Sequence, residues 1–186
     1  MHAFDYLVVL ISIVLGLAMT QLLAALARWL ELRGEIKAYA PAALWAGFLL
    51  LVDVQTWWSM FGLRDAASWT FLQFAVVLVQ PILLFLLAAL ALPGQVSAER
   101  DLKVWFLRHR AWFFGLFLAL LAVSVAKDLV VGGRLPSGPN LAFHAALAAC
   151  GAAALASKKD GVQLAAGLAA LGLIVAYVGV LFADLS

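Results

Sequence analysis

The sequence contains little charge and almost no cysteine. Only 12% of its 186 residues are Asp, Glu, Lys or Arg, whereas 67% are hydrophobic, against about 45–50% in soluble domains. A soluble domain of this size could not bury that much apolar surface, because small domains keep a large exposed shell. The single cysteine, Cys150, excludes a disulfide within the chain and CxxC chemistry. The composition therefore predicts a protein whose solvent is lipid.

Recognisable catalytic motifs are also lacking. The sequence has no HExxH, no Gly-rich phosphate loop and no nucleophile elbow, so an enzyme is not expected. Haem held between helices would ordinarily need two histidines inside the membrane, and only His144 qualifies, so neither a cofactor nor a metal site is expected. The formal net charge is +2 and the basic residues form short clusters without a long arm. This pattern gives no support to a nucleic-acid partner.

Six long apolar runs are present. About 20 apolar residues cross a bilayer as a helix, and the runs cover residues 4–27, 42–62, 70–92, 111–131, 141–156 and 162–182. The fifth run is the shortest and could be tilted or partly re-entrant. The connections are too short to hold another domain. The sequence therefore predicts an all-α integral membrane protein, in which residues 1–186 form a single compact bundle of six transmembrane helices with short loops.

The basic residues predict the orientation of this bundle. Nine of the 12 Lys and Arg residues fall in the loops between runs 1 and 2, 3 and 4, and 5 and 6. Lys and Arg are retained in cytoplasmic loops, so these three loops are expected in the cytoplasm and both termini on the non-cytoplasmic side. We therefore expect a multi-pass protein of the inner (plasma) membrane, with the lipid bilayer as its first partner.

One acidic residue interrupts the second run. Asp53 lies roughly ten residues from either end of the stretch 43–62, which places it near the membrane midplane. A carboxyl group at that depth costs a few kcal/mol and persists only when it faces protein or water, or is protonated. Trp57 lies one helical turn away. Asp53 is accordingly the first candidate for a functional site.

A second polar group is expected at the same depth. Gln80, in the third run, precedes Pro81, which lacks an N–H and crowds the carbonyl group four residues earlier. A hydrogen bond between Asp53 and Gln80 would be a structural contact of about 0.6–2 kcal/mol. The alternative is that both side chains handle a ligand or a proton.

Other polar groups inside the apolar runs complete the candidate set. They are Ser12, Gln55, Gln73, Lys127, Asp128 and His144. Three of them also have a structural interpretation: Ser12 belongs to a small-residue stripe that favours helix packing, Lys127 could extend to the headgroups or pair with Asp128 or Asp53, and His144 could be a hydrogen-bonded core residue. Most lie toward the outer side, so converging helix faces would form a wet cavity closed on the cytoplasmic side.

Two classes of function fit these features. The first is a transporter or channel subunit that moves protons, cations or a small polar solute through an outward-facing cavity around Asp53. The second is a non-catalytic assembly, accessory or sensing subunit that acts through helix contacts, with Asp53 anchoring a Lys or Arg of a membrane partner subunit. Small-residue rows such as Gly161, Ala165 and Ala169 favour close packing within the chain or a homo-oligomer interface.

Overall fold

The computed structural model describes residues 3–64, 69–93 and 100–181, and within them all regular structure is helical. The helices are α1 (Ala3–Glu31), α2 (Ala40–Ser59), α3 (Phe71–Ala91), α4 (Leu102–Gly132), α5 (Gly138–Ala156) and α6 (Asp160–Leu181). A 3₁₀ turn, Met60–Leu63, extends α2. All six helices are long and apolar enough to cross a membrane. The predicted all-α class with six candidate spans is confirmed.

Local sequence signals determine where several helices begin and end. Thr70 and Gln73 form a capping box at the start of α3, which satisfies backbone N–H groups that have no partner within the helix. Asp101 accepts hydrogen bonds from two N–H groups in the first turn of α4. Gly133, with a φ of 65°, ends α4 and donates its N–H to the carbonyl of Leu129, in the left-handed conformation that glycine adopts without steric cost.

Two helices differ from the predicted spans. α4 starts at Leu102 instead of residue 111, because Lys103, Arg108 and Arg110 lie in its first turns, where they interrupt the apolar run without ending the helix. α5 is a continuous helix of 19 residues, about 29 Å long at 1.5 Å per residue, so it can span the membrane without re-entering. α3 continues through Pro81 without interruption.

The six helices form a closed ring, and one of them, α2, also lies across its middle. Following contacts around the ring, the order is α1, α2, α6, α5, α4, α3 and back to α1. α2 also contacts α3 and α4 across the ring. As a result, α2 is the most enclosed of the six candidate spans, and its side chains face several different environments.

An aromatic cluster fills the half of the bundle where α2 begins. The Trp45 side chain is 0% exposed, and four phenylalanine rings lie edge-on around it with centroids 5.1–5.8 Å away: Phe48, Phe113, Phe114 and Phe117. Such edge-to-face pairs are a favoured geometry for aromatic rings. Trp45 therefore joins α2 to the middle of α4.

Close helix approach depends on particular glycines. A Cβ atom at Gly151 in α5 would lie 2.6 Å from Cδ1 of Phe117, and one at Gly167 in α6 would lie 3.2 Å from Cβ of Leu44. The row that includes Ala165 and Ala169 lies instead on the exposed face of α6. Packing within the chain is therefore not the role of that row, and its use as a homo-oligomer interface stays a prediction.

The three basic loops meet at one end of the bundle, which we call the basic face. The backbone N–H of Lys37 donates to the carbonyl of Arg100 at 2.8 Å. Asp160 accepts hydrogen bonds from Lys103 at 2.6 Å and from Tyr39 at 3.2 Å. Burial, together with the Asp160 carboxylate, raises the pKa of Tyr39 to about 12, so its hydroxyl keeps its proton at neutral pH. The other end of the bundle is called the opposite face.

Candidate functional site

The nine candidate residues do not converge on one cavity. Eight of them are divided among three places: an outer cavity at the opposite face, an inner cavity at the centre of the bundle, and a groove between α1 and α2. The ninth, Gln73, caps α3 and donates to the carbonyl of Val130 in α4 at 3.4 Å. Its position indicates a structural role.

The outer cavity has a volume of about 770 Å³ and lies where α4 ends and α5 begins. Its polar lining includes Lys127, Asp128, Arg134 and Asn140. Across the described ranges, neither Lys127 nor Asp128 forms an ion pair. The salt bridge considered for Lys127 is therefore not formed, and charges of both signs are available on the cavity wall.

The inner cavity is much smaller, at about 40 Å³. Its polar lining consists of Gln55, Gln80, Ser124, His144 and Tyr177. A water molecule occupies about 30 Å³ in the liquid and needs two to four polar partners when buried. The inner cavity therefore has the size and polarity to hold water, and it is too small for a larger solute.

A hydrogen-bond relay connects the two cavities. Asn140 lines the outer cavity, and its side-chain oxygen accepts from the Tyr177 hydroxyl at 3.1 Å. His144 Nδ1 lies 2.9 Å from the Asn140 carbonyl, and His144 Nε2 lies 3.0 Å from Ser124 Oγ. A carbonyl only accepts, so Nδ1 carries the hydrogen and Nε2 of the neutral ring accepts from Ser124. The relay leads from the outer cavity into the centre of the bundle.

Gln80 bonds to α2, but not through Asp53. Its Nε2 atom donates to Thr56 Oγ1 at 3.4 Å, and its Oε1 is buried without a partner. The hydrogen bond considered between Asp53 and Gln80 is not formed. Residues at i and i+4 share a helix face, so Asp53 points with Trp57 toward α1, whereas Gln55 and Thr56 point into the bundle.

Asp53 lines the groove between α1 and α2. Its side chain is 2% exposed, and among the residues that the structure describes its Oδ1 atom has no hydrogen-bond partner. The groove has a volume of about 220 Å³. It is lined, besides Asp53, by Ser12, Leu15, Gly16, Met19, Val54 and Trp57. Since Val54 and Trp57 are exposed, this α1–α2 groove opens sideways, on the flank where lipid would lie.

The aromatic cluster closes the inner cavity on the side of the basic face. Phe48 and Phe117 belong to the cluster and also line the inner cavity. The polar part of the inner cavity's wall therefore ends at these two rings. A path from the outer cavity to the basic face would require them to move.

Several polar residues with clear roles were missed in the sequence. Tyr177, Asn140 and Thr56 belong to the relay or bond to Gln80. Gln163 donates to the carbonyl of Ala154 at 2.7 Å at the end of α5. The sequence did contain a signal for these residues: each is an isolated polar residue within an apolar span, and a polar group buried in lipid needs a protein partner.

The described ranges contain no cluster of three or more His, Cys, Asp or Glu side chains that could hold a metal ion. No protein-family model matches the chain, and no curated protein or solved structure shows significant similarity to it. Any functional inference therefore depends on the geometry of the three places described above.

Proposed function

We propose that the protein is a subunit of a membrane transporter or channel that admits a proton, a cation or a small polar solute from the opposite face. The observation that supports this most directly is the hydrogen-bond relay between the outer and inner cavities. Polar and titratable groups inside a membrane span mark ion or proton paths by default.

The sizes of the two cavities favour the proton among these species. A solute fits the outer cavity, of about 770 Å³, whereas the inner cavity, of about 40 Å³, has room only for water or a small ion. His144 can accept a proton at Nε2 from water in the inner cavity, by way of Ser124, while its Nδ1–H remains bonded to the Asn140 carbonyl. The Ser124 hydroxyl would then turn from donor to acceptor, so the relay keeps its hydrogen bonds in both protonation states.

Passage to the basic face requires a conformational change. Phe48 and Phe117 separate the inner cavity from that face, and packed aromatic rings leave no room for water. The state described here is therefore open to the opposite face and closed to the basic face. This is the arrangement expected of a transporter that alternates between a state open to one side of the membrane and a state open to the other.

We further propose that the basic face is cytoplasmic, which places both termini outside and the protein in the plasma membrane. In a Cys150→Ala background, a membrane-impermeant maleimide should label Ser137→Cys on intact cells. Lys158→Cys, on the basic face, should be labelled only after permeabilisation. Both positions are exposed at helix ends. Labelling in the reverse order would overturn this orientation.

Proton flux should depend on the relay. In vesicles containing the purified protein and a pH-sensitive dye, an imposed potential should drive proton entry in the wild type. His144→Leu should lower the initial rate by about tenfold or more, because it removes the imidazole, which can both accept and donate a proton. Ser124→Ala should lower the rate less, since water can replace one hydroxyl.

A matched control tests whether the effect belongs to the relay. Thr20→Val removes a hydroxyl that bonds only to the Gly16 carbonyl of its own helix, and it should leave the flux unchanged. A wild-type rate equal to that of protein-free vesicles would refute proton transport. So would an undiminished rate in a folded His144→Leu protein.

A second candidate function is an accessory subunit that acts through helix contacts. The specific observation in its favour is the small-residue face of α6, including Ala165 and Ala169, which lies exposed. Exposed small residues allow another helix to approach closely. This function and the transport function are compatible within one complex.

A further inference from the structure

We propose that the α1–α2 groove is a docking site for a transmembrane helix of a partner protein, and that this helix carries a Lys or Arg opposite Asp53. The proposal goes beyond the transport function, because the groove shares no lining residue with the outer or inner cavity.

The first argument is the state of Asp53. Its side chain is 2% exposed and its Oδ1 atom has no partner, yet it lines a groove whose other lining is almost entirely apolar. A buried carboxyl group without a hydrogen bond or a counter-charge carries a large desolvation cost. In proteins such groups are paired, and the described part of the chain provides no cation near it.

The second argument is the shape of the α1 side of the groove. Gly16 is exposed, and a Cβ atom built on it would meet nothing within 4 Å. Ser12 lies one turn earlier on the same wall. Small residues four apart let two helix backbones approach closely in a membrane. The sequence predicts that this stripe lets another helix approach closely, and at Gly16 the space beside it is open.

The third argument is length. Toward the opposite face, a further cavity of about 60 Å³ is lined by Val8 and shares Ser12 and Trp57 with the groove. Together they follow α1 from Val8 to Met19, which is about 16 Å or three helical turns. A concave, largely apolar surface of that length matches the contact made by a crossing helix rather than by a small molecule.

The docked helix could come from a second copy of this chain or from a different protein, and the position of its cation distinguishes the two. In the six helices a second copy of this chain offers a single cation away from the basic face, Lys127. It lies five residues from the end of α4, at a depth of about 8 Å, whereas Asp53 lies ten residues from Leu63, at about 15 Å. Lys127 also lines the outer cavity inside the bundle, so a second copy in a parallel arrangement does not present it opposite Asp53. A partner helix with a cation near its centre does.

A designed helix of about 21 residues, leucine-rich with one central Lys, provides the probe. Energy transfer in phosphatidylcholine vesicles, from a donor on Ser137→Cys in the Cys150→Ala protein to an acceptor on the peptide, would report binding. The Lys peptide should bind about tenfold more tightly than the same peptide with Leu at that position, because it alone pairs with the carboxylate.

Two variants separate the contribution of the Asp53 carboxylate from that of the open space beside Gly16. Asp53→Asn should abolish the preference for Lys, and Gly16→Leu, which only fills open space, should weaken binding of both peptides. Asp128→Asn, which alters a carboxyl group of the outer cavity, should change neither. If Asp53→Asn does not fold, Gly16→Leu still tests the docking surface, since its side chain would point into the groove.

Two results would overturn the proposal. One is equal affinity of the wild-type protein for the Lys and Leu peptides. The other is efficient disulfide formation between Gly16→Cys copies in bilayers, undiminished by excess Lys peptide, which would assign the groove to a second copy of the chain. Proton flux is measured without the peptide, so a failure of docking leaves the transport function unaffected, and the reverse also holds.

Discussion

Trp45→Ala should lower the free energy of unfolding by about 3–5 kcal/mol, the range for truncating a buried Trp or Phe to Ala. Trp45 is 0% exposed and is edge-on to four phenylalanine rings, and each such pair contributes about 0.5–1.5 kcal/mol beyond burial. The neighbours come from both α2 and α4, so they cannot easily collapse into the cavity. Reversible unfolding in mixed detergent micelles would measure the loss.

Two companion variants define what Trp45 contributes. Its Nε1 atom is buried without a partner, so Trp45→Phe should cost only about 1–2 kcal/mol, because it keeps an aromatic ring and removes an unsatisfied N–H. Trp112, in the same helix bundle but 73% exposed, is the matched control, and Trp112→Ala should cost about 0.5 kcal/mol or less. A Trp45→Ala protein as stable as Trp112→Ala would show that the aromatic cluster does not stabilise the fold.

Gln163→Leu should destabilise the protein by about 2–3 kcal/mol. Gln163 is 0% exposed, and its Nε2 atom donates to the carbonyls of Ala154 and Ser157. These carbonyls lie at the end of α5, where a helix has no internal donors left. Leucine matches the size of glutamine. It leaves the Ser157 carbonyl without this donor and the Ala154 carbonyl with Arg110 alone, so the loss reports the hydrogen bonds more than the packing.

Arg110 provides the test of this interpretation. Its Nη1 atom donates to the same Ala154 carbonyl at 3.3 Å and also to that of Leu155. In a double-mutant cycle with Arg110→Met, the two changes should be coupled by about 0.5–2 kcal/mol, since they share an acceptor. Additive losses would mean that the two side chains act independently, whereas Leu164→Ala on the exposed side of α6 should be nearly neutral.

The sequence was sufficient to predict the candidate spans, but it predicted the ends of the helices less well. Apolar length specifies a crossing, and the fold class and the count of candidate spans followed from it. Lys103, Arg108 and Arg110 end the apolar run, yet they belong to α4, because charged residues do not by themselves end a helix. Charge therefore did not predict where α4 begins.

The sequence predicted how deep the candidate side chains lie along their helices, but it did not predict which neighbouring helix each of them faces. Counting residues placed Asp53 and Gln80 at the same level, but Asp53 faces α1 and Gln80 bonds to Thr56. A helix that is apolar on all sides gives no signal for which side meets which neighbour. In a soluble bundle the polar face would have supplied that signal. The division of the candidates among three places therefore emerges only from the packing.

The contacts at the basic face have a mechanical consequence. Lys37, Arg100 and Asp160 join three loops there, whereas at the other end the outer cavity lies between the turn that follows α2 and the end of α4. A helix held at one end acts as a lever: a tilt of about 5° displaces the far end of a 30 Å helix by about 3 Å. Small rotations about the tied loops would thus change the width of the outer cavity while hardly disturbing the loops themselves.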